Sequence, residues 1–213
     1  MIISHTLKYV YIGIPRTSST SMNRWLVDHF EGEWLGGHHD WQVPDNARDY
    51  LIFSSVRNPY ERRISFHFNI PWDDEKDFSL REYVAPPQLP TESLEDRIQE
   101  AILRRSGLRR DGQTIDHGNQ THFVDKAGVS LALYFERRPA CLWELPFVDK
   151  ATMPPFLHSP QRGIRPLGNY FDFFNAEDEE VEWAYASEDF EAFGYRRYEC
   201  DLPEEAPNAL RID

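Results

Sequence analysis

The sequence predicts an α/β fold in which a central, mainly parallel sheet lies between two layers of helices. Residues 7–14 and 50–56 are rich in β-branched and aromatic side chains. The second run is almost unbroken in apolarity, as in strands that are covered on both faces. Each run is followed by a polar turn and then by a segment with the apolar spacing of a helix. Strand, turn and helix repeated in this order favour parallel strands joined by helical crossovers.

The helices follow from the positions of apolar residues and of proline. From Thr20 onward, Met22, Trp25 and Leu26 share one helical face, and Pro59 suits the first turn of a second helix. Further predicted elements are a short helix near 80–84, a helix at 94–105, a third sheet strand at 131–137 and a helix at 177–195 with acids in its first turn.

Length and composition predict one globular domain. The 213 residues, 40% hydrophobic and 14% aromatic, can bury a sizeable core. We expect a single domain over 1–213, with a helical or loop insertion at 72–118 and a loose polar tail at 199–213.

Charge and cysteine content narrow the functional classes. The formal net charge of −13 argues against a general nucleic-acid or anionic-lipid binder. Two cysteines cannot form a crosslinked framework, and no CxxC pair indicates a metal site. No stretch approaches the ~18 apolar residues of a membrane span, and no signal peptide is recognisable. We therefore expect a cytoplasmic protein without stable membrane insertion.

The first strand-to-helix turn has the composition of an anion site. Residues 11–26 read YIGIPRTSSTSMNRWL, in which Arg16 precedes five consecutive hydroxyl residues, Thr17 to Ser21. Unpaired amides and the dipole at a helix start favour an anion, and the hydroxyls and the guanidinium add donors. The stretch is not a Walker A loop, because Ser18 and Ser19 stand where that motif has Gly and Lys. The alternative is that these residues only cap the helix.

A second anion-binding element follows the second strand. Residues 53–68 read FSSVRNPYERRISFHF. Arg57 leaves the carboxyl end of a strand, where open α/β sheets bind ligands, and its guanidinium can bind phosphate in a bidentate way. Ser65 lies two helical turns further and would donate to the same phosphate. Arg62 and Arg63 are interpreted as solvated helix charges.

Both stretches resemble the nucleotide-binding elements of sulfotransferases that use 3′-phosphoadenosine 5′-phosphosulfate (PAPS), of the carbohydrate (heparan 2-O/6-O-like) type. The segment PRTSSTS resembles their 5′-phosphosulfate loop, usually written PKTGGTS, and the Arg57 segment resembles their 3′-phosphate element. The resemblance covers 9–68 well and the remainder loosely. It implies a P-loop-like fold, PAPS as the donor, and adenosine 3′,5′-bisphosphate (PAP) as the product. The residues that it implies for binding are Arg16, Thr17, Ser18, Ser19, Thr20, Ser21, Arg57 and Ser65.

The resemblance also suggests a catalytic base. Between the two elements lies GGHHDW, and heparan 6-O-sulfotransferases carry a similar His-x-Asp-Trp, in which the His is taken as the base. His38 aligns with that base, and Asp40 and Trp41 follow in step, although His39 stays an alternative. A histidine with its reference pKa of ~6.5 can accept a hydroxyl proton near neutral pH. Arg16 would stabilise the charge on the departing phosphate, and no metal is required.

Later segments resemble the same superfamily more weakly. Gln120, His122 and Glu136 are candidates for the acceptor side, with core and turn roles equally open. Arg162 or Arg165, in a loop where relatives close over the nucleotide, is a candidate for cofactor binding. The basic run at 104–110 is a candidate for an anionic acceptor or a charged helix end.

The leading hypothesis is a PAPS-dependent enzyme that sulfates a hydroxyl of a carbohydrate or another small acceptor. Two alternatives stay open: a phosphotransferase that uses ATP, and a nucleotide-binding module without transfer activity. Neither the acceptor nor the oligomeric state follows from the sequence.

Overall fold

The computed structural model describes residues 1–36, 41–69, 118–157, 174–199 and 201–212, with only the backbone at 66–69. The chain divides into two compact units. The sheet unit comprises residues within 1–57, 120–160 and 202–213, and the helix unit comprises residues within 58–119 and 161–201. The helices predicted near 80–84 and at 94–105 and the insertion expected at 72–118 lie almost wholly outside the described residues, and the single domain stays a prediction.

The sheet unit contains a six-stranded sheet, so the predicted α/β class is confirmed. The mainly parallel sheet that was predicted is corrected to a mixed one, because three of the five strand pairs are antiparallel. The strand order is β3-β1-β2-β4-β5-β6. The central strands β2, β4 and β5 are mutually parallel, whereas β1, β3 and β6 add antiparallel pairs at the two sides. The bounds are β1 Ile2–Ser4, β2 Tyr9–Ile12, β3 Glu33–Trp34, β4 Leu51–Val56, β5 Leu131–Tyr134 and β6 Ala209–Arg211.

Two predictions about the strands need correction, and two further strands were not predicted. The strand expected at 131–137 ends at Tyr134, and the chain continues as a 3₁₀ turn at Phe135–Arg137. The tail expected to be loose instead supplies β6, which pairs with β5. The short strands β1 and β3 were not predicted, because runs of three and two residues carry too little alternation to be distinguished from loop.

One face of the sheet and the first helix form the main core of this unit. Tyr11, Phe53 and Leu131 are neighbours in register across the three parallel strands, so their side chains share a face. Helix α1, Ser19–His29, adds Met22, Trp25 and Leu26 to the same apolar cluster. Burial of each such large side chain contributes about 1.5–3 kcal/mol. This packing fixes the first turn of α1 at the end of β2.

A helix that was not predicted, α3 at Gln120–Ala127, also belongs to the sheet unit. Its buried positions, Gln120, Phe123, Val124 and Ala127, have the spacing of one helix face. Helix α3 packs near β4.

The helix unit contains α2, Pro59–Asn69, and α4, Ala176–Ala192. The predicted C-terminal helix is therefore confirmed, with Asn175 as its N-cap accepting from the Asp178 amide at 2.9 Å. Within the described ranges, every helix is too short or too polar to pass through a bilayer.

Arg62 and Arg63 are not solvated, which corrects the interpretation from sequence. Both are almost completely buried. Arg63 Nε donates to Oε2 of Glu182 at 3.1 Å, and Arg62 Nη1 donates to the carbonyl of Gly118 at 3.0 Å. The apolar spacing of α2 did not reveal these contacts, because the partners lie far away in the sequence.

A second buried carboxylate joins α2 to α4. Glu179 accepts from the hydroxyl of Tyr60 and from Arg197 Nε at 2.9 Å and Nη2 at 2.6 Å. Burial alone would raise the pKa of Glu179, but the hydrogen bonds from Arg197 and Tyr60 outweigh it and hold this pKa below its ordinary value.

Glu179 is therefore expected to make stability depend on pH. Because its pKa is lower in the folded chain than in the unfolded chain, its contribution is complete above the unfolded pKa and is lost as the pH falls through the folded pKa. Glu179→Gln should reduce the free energy of unfolding at pH 7, and the difference from wild type should shrink on acidification below about pH 4.5. Urea titrations from pH 3 to 7 measure this. Glu188→Gln is the control, because Glu188 is exposed on the same helix. If the difference in the free energy of unfolding between wild type and Glu179→Gln widened in acid, the lowered pKa of Glu179 would be contradicted.

Candidate functional site

The loop between β2 and α1 is held in an unusual backbone conformation. Arg16 and Ser18 have positive φ angles of 69° and 71°. Between them, the hydroxyl of Thr17 donates to the carbonyl of Ile14 at 2.9 Å. Residues other than glycine are sterically disfavoured at positive φ, because their Cβ atom clashes with the backbone. The loop is thus a tight coil that is imposed by its surroundings, and it ends where α1 begins.

The start of α1 presents its amides at the end of this coil. The carbonyl of Ser18 accepts the first helical bond, from the Met22 amide at 3.1 Å. The Ser18 side chain makes no capping bond to an amide of the helix as described. The neighbouring Ser19 is half-buried and Thr20 is exposed. An anion placed here would meet helix amides, the positive end of the dipole and hydroxyl donors.

The strained coil leads to a stability prediction. Ser18→Gly is expected to raise the free energy of unfolding by about 0.5–1 kcal/mol, because glycine accepts a positive φ without a Cβ clash. Ser19→Gly is the matched control, since this residue already has a helical backbone, and it should not raise the free energy of unfolding. Urea unfolding measures both. A change of the same sign in the free energy of unfolding of both variants would refute backbone strain at Ser18.

Arg57 reaches the same loop from the next parallel strand. Since β2 and β4 are parallel and Ile12 pairs with Ser54, their carboxyl ends lie at one edge of the sheet. Arg57, two residues beyond Ser55 in the chain, donates from Nη1 to the carbonyl of Arg16 at 3.3 Å. The two elements that were predicted separately are therefore in direct contact.

The guanidinium of Arg57 lies in a buried, aromatic setting. The residue is 8% exposed, and its guanidinium carbon lies 4.3 Å from the ring centroid of Phe135, just after β5. A cation over an aromatic face gains about 0.5–2 kcal/mol and is held in a defined orientation. Phe135 thus acts as a platform for this guanidinium. The sequence did not identify it, because residues 131–137 were interpreted as one continuous strand.

Gln120 holds the backbone of Arg57. Its Oε1 accepts from the Arg57 amide at 2.8 Å, and its Nε2 donates to the Arg57 carbonyl at 2.8 Å. Gln120 is fully buried at the first residue of α3. Sequence reasoning had offered it as an acceptor-side candidate, and the structure gives it a position behind Arg57. Its helical spacing with Phe123 and Val124 was the available signal.

Three other predicted site residues, Thr17, Ser21 and Ser65, are buried. Thr17 is buried and its hydroxyl is used inside the loop, so that side chain holds the loop together, and Ser21 is buried on α1. Ser65 is buried in the helix unit, whereas Arg57 closes a segment of the sheet unit.

Several of the predicted site residues lie outside the part of the chain that the structure describes. The proposed base His38, the alternative His39 and the cofactor-binding candidates Arg162 and Arg165 are among them, as is the basic run at 104–110. Trp41, which follows these histidines in the sequence, is described. It is buried edge-on against the ring of Phe123, with a centroid separation of 4.5 Å.

Of the weaker candidates, His122 is exposed on α3 and Glu136 is partly buried in the 3₁₀ turn. In the described ranges, no group of three His, Cys, Asp or Glu side chains is arranged to hold a metal ion.

Comparisons with family models, with curated proteins and with solved structures found no match for this chain. The resemblance of the two motifs to sulfotransferases stays a prediction. The chemistry of the site must therefore be argued from its own residues.

Proposed function

We propose that this chain is a PAPS-dependent sulfotransferase that acts on a hydroxyl of a carbohydrate or another small hydroxylated acceptor. The proposal includes a P-loop-like, three-layer arrangement of sheet and helices. The observation that supports it most is the hydrogen bond from Arg57 Nη1 to the carbonyl of Arg16. This bond joins the two elements that are predicted to bind anions, and a nucleotide phosphorylated at both the 5′ and 3′ positions needs two such elements side by side.

The two elements differ in the kind of anion that they suit. The coil and the start of α1 offer amides and hydroxyls around one point, which suits the 5′-phosphosulfate. Arg57 offers a rigid, permanently charged fork, which suits a terminal phosphate such as the 3′-phosphate. Ser65 and Arg162 are proposed as further ligands of the nucleotide, on the resemblance alone.

The transfer is proposed as a single in-line displacement. His38 takes the proton of the acceptor hydroxyl while that oxygen forms a bond to sulfur. The bond between sulfur and the bridging oxygen of the 5′-phosphate breaks, and its electron pair stays on that oxygen, so the products are PAP and the sulfate ester. Arg16 and the amides of the loop stabilise the charge that develops on the leaving phosphate. A weakly basic phosphate needs charge stabilisation more than a proton, so a protonated arginine serves here.

Nucleotide binding tests the donor. Thermal unfolding is measured with PAP and with ATP at equal concentrations, without added Mg²⁺ and with it. The proposal predicts stabilisation by PAP that exceeds that by ATP and is lost in Arg57→Ala. Arg48→Ala is the control, since Arg48 is exposed and forms an ion pair with Asp45, three positions earlier. Stronger stabilisation by ATP with Mg²⁺ would instead favour the phosphotransferase.

Sulfate transfer tests the enzyme against the non-catalytic binding module. Wild type is incubated with labelled PAPS and a panel of glycans and small alcohols. His38→Ala is expected to lower the transfer rate by ~10²–10⁴, as for loss of a general base, while His39→Ala retains most of it. Binding of PAP without transfer to any acceptor would favour the binding module. Unchanged transfer in His38→Ala would refute the base assignment.

A further inference from the structure

A second arginine lies against the ring that supports Arg57. Arg138 follows the 3₁₀ turn after β5, and its guanidinium carbon lies 3.6 Å from the centroid of Phe135. Its Nε donates to the carbonyl of Phe135 at 3.1 Å. This bond fixes the guanidinium plane over the aromatic ring. Phe135 therefore carries two guanidinium groups, one from the end of β4 and one from beyond the end of β5.

The two terminal nitrogens of Arg138 are buried, and neither has a hydrogen-bond acceptor among the described residues. Buried polar groups in proteins are nearly always hydrogen-bonded, and a charged donor without a partner is especially unfavourable. A purely structural arginine would be expected to use these nitrogens, which form its bidentate fork. Among the described residues, Nε is the nitrogen of Arg138 that has an acceptor, so the two terminal nitrogens could together bind an acceptor with two oxygens.

The charges around Arg138 do not neutralise it. The pKa of Arg138 is lowered to about 10, mainly by burial and in part by the neighbouring charge of Arg57, so the group is still a cation at neutral pH. Burial raises the pKa of Tyr11 and of Cys141 to about 12, so both of these neighbours are neutral. Glu136 is the carboxylate among the groups that act on Arg138. An anion bound at the terminal nitrogens of Arg138 would offset its positive charge.

We propose that Arg138 is a further ligand-binding residue, which binds the 3′-phosphate of the nucleotide through Nη1 and Nη2 together with Arg57. The inference rests on the proposed function. The 3′-phosphate is favoured over the 5′-phosphosulfate because Arg138 shares its aromatic platform with Arg57, whereas the 5′ group is assigned to the coil at Arg16. Two guanidinium groups on one phosphate would match its double negative charge.

The test compares two nucleotides that differ only in the 3′-phosphate. Dissociation constants of PAP and of adenosine 5′-phosphate are measured by calorimetry for wild type and for Arg138→Gln. The inference predicts that Arg138→Gln raises the dissociation constant of PAP by about 10–100-fold and that of adenosine 5′-phosphate by less than about threefold. Arg137→Gln is the matched control. This variant removes the charge next to Arg138. The guanidinium of Arg137 donates to the carbonyls of Pro203 and Glu204, and the ratio of the two dissociation constants should stay as in wild type.

The outcomes are distinguishable. Equal weakening of both nucleotides in Arg138→Gln would indicate a structural residue and would overturn the inference, while the proposed function stands. A wild-type protein that does not prefer PAP would overturn the proposed function and the inference with it. If Arg138→Gln does not fold, Arg138→Lys keeps the charge and loses the fork. Arg138→Lys should then prefer PAP over adenosine 5′-phosphate, but by a smaller ratio of dissociation constants than wild type. A ratio equal to that of wild type would overturn the inference.

Discussion

Replacing Glu182 by leucine is expected to lower the free energy of unfolding by about 3–5 kcal/mol, as for the loss of one partner of a buried ion pair. Arg63 Nε donates to both carboxylate oxygens of Glu182, at 3.1 and 3.3 Å, and the two side chains are 2% and 1% exposed. Water cannot replace the missing carboxylate at this depth. The single variant leaves a buried guanidinium without its counter-ion, and this desolvated charge accounts for most of the loss.

The double variant Arg63→Met, Glu182→Leu should recover most or all of the stability that is lost in Glu182→Leu. The attraction within a buried pair is largely offset by the desolvation of its two charges, so apolar replacements of similar volume are often neutral or stabilising by about 1–4 kcal/mol. Urea unfolding of wild type, both single variants and the double variant gives the coupling energy. Glu188→Leu, exposed on the same helix, should change stability by less than about 0.5 kcal/mol. Additive losses in the double variant would show that the pair is not the source of the effect.

Local patterns predicted those parts of the fold that depend on neighbouring residues. The predicted strands at 7–14 and 50–56 contain β2 and β4, and the helices at Ser19–His29 and Ala176–Ala192 lie where apolar spacing and first-turn acids placed them. The meeting of the coil with Arg57 was also predictable, because parallel strands bring their carboxyl ends to one edge. The strands β1, β3 and β6 are too short to show a pattern of their own, and their pairing is decided by the rest of the sheet.

Long-range partners account for most of what the sequence did not predict. Arg63 and Glu182 are 119 positions apart, and an arginine on a helix has the same sequence pattern whether it meets water or a buried carboxylate. A local contact was missed as well, since the hydroxyl of Thr17, predicted to bind the ligand, donates to the carbonyl of Ile14 three positions earlier. The end of β5 at Tyr134 was equally hidden, and with it the aromatic platform that follows. The role of a side chain at a site depends on which of its atoms already form hydrogen bonds within the fold, and the sequence pattern does not show this.

Gln120→Leu is expected to have the largest effect of any single change at the candidate site. The variant would leave the amide and the carbonyl of Arg57 without the two 2.8 Å bonds to this side chain. A buried polar group left without a partner costs about 1–3 kcal/mol, so the free energy of unfolding should fall by about 2–6 kcal/mol. Because Gln120 holds the backbone of Arg57, PAP should also bind more weakly under the proposed function.

Gln120 is a positioning residue in this interpretation, and the experiment must separate positioning from general destabilisation. His122→Ala is the control on the same helix, since His122 is exposed, and it should change the free energy of unfolding by less than about 0.5 kcal/mol. PAP binding is measured at a temperature where Gln120→Leu is still fully folded by circular dichroism. Weaker binding by the folded variant follows if the two bonds orient Arg57 toward the ligand. Wild-type affinity in the folded variant would limit Gln120 to a structural role, because the guanidinium would then keep its orientation through contacts that include Phe135 and the carbonyl of Arg16.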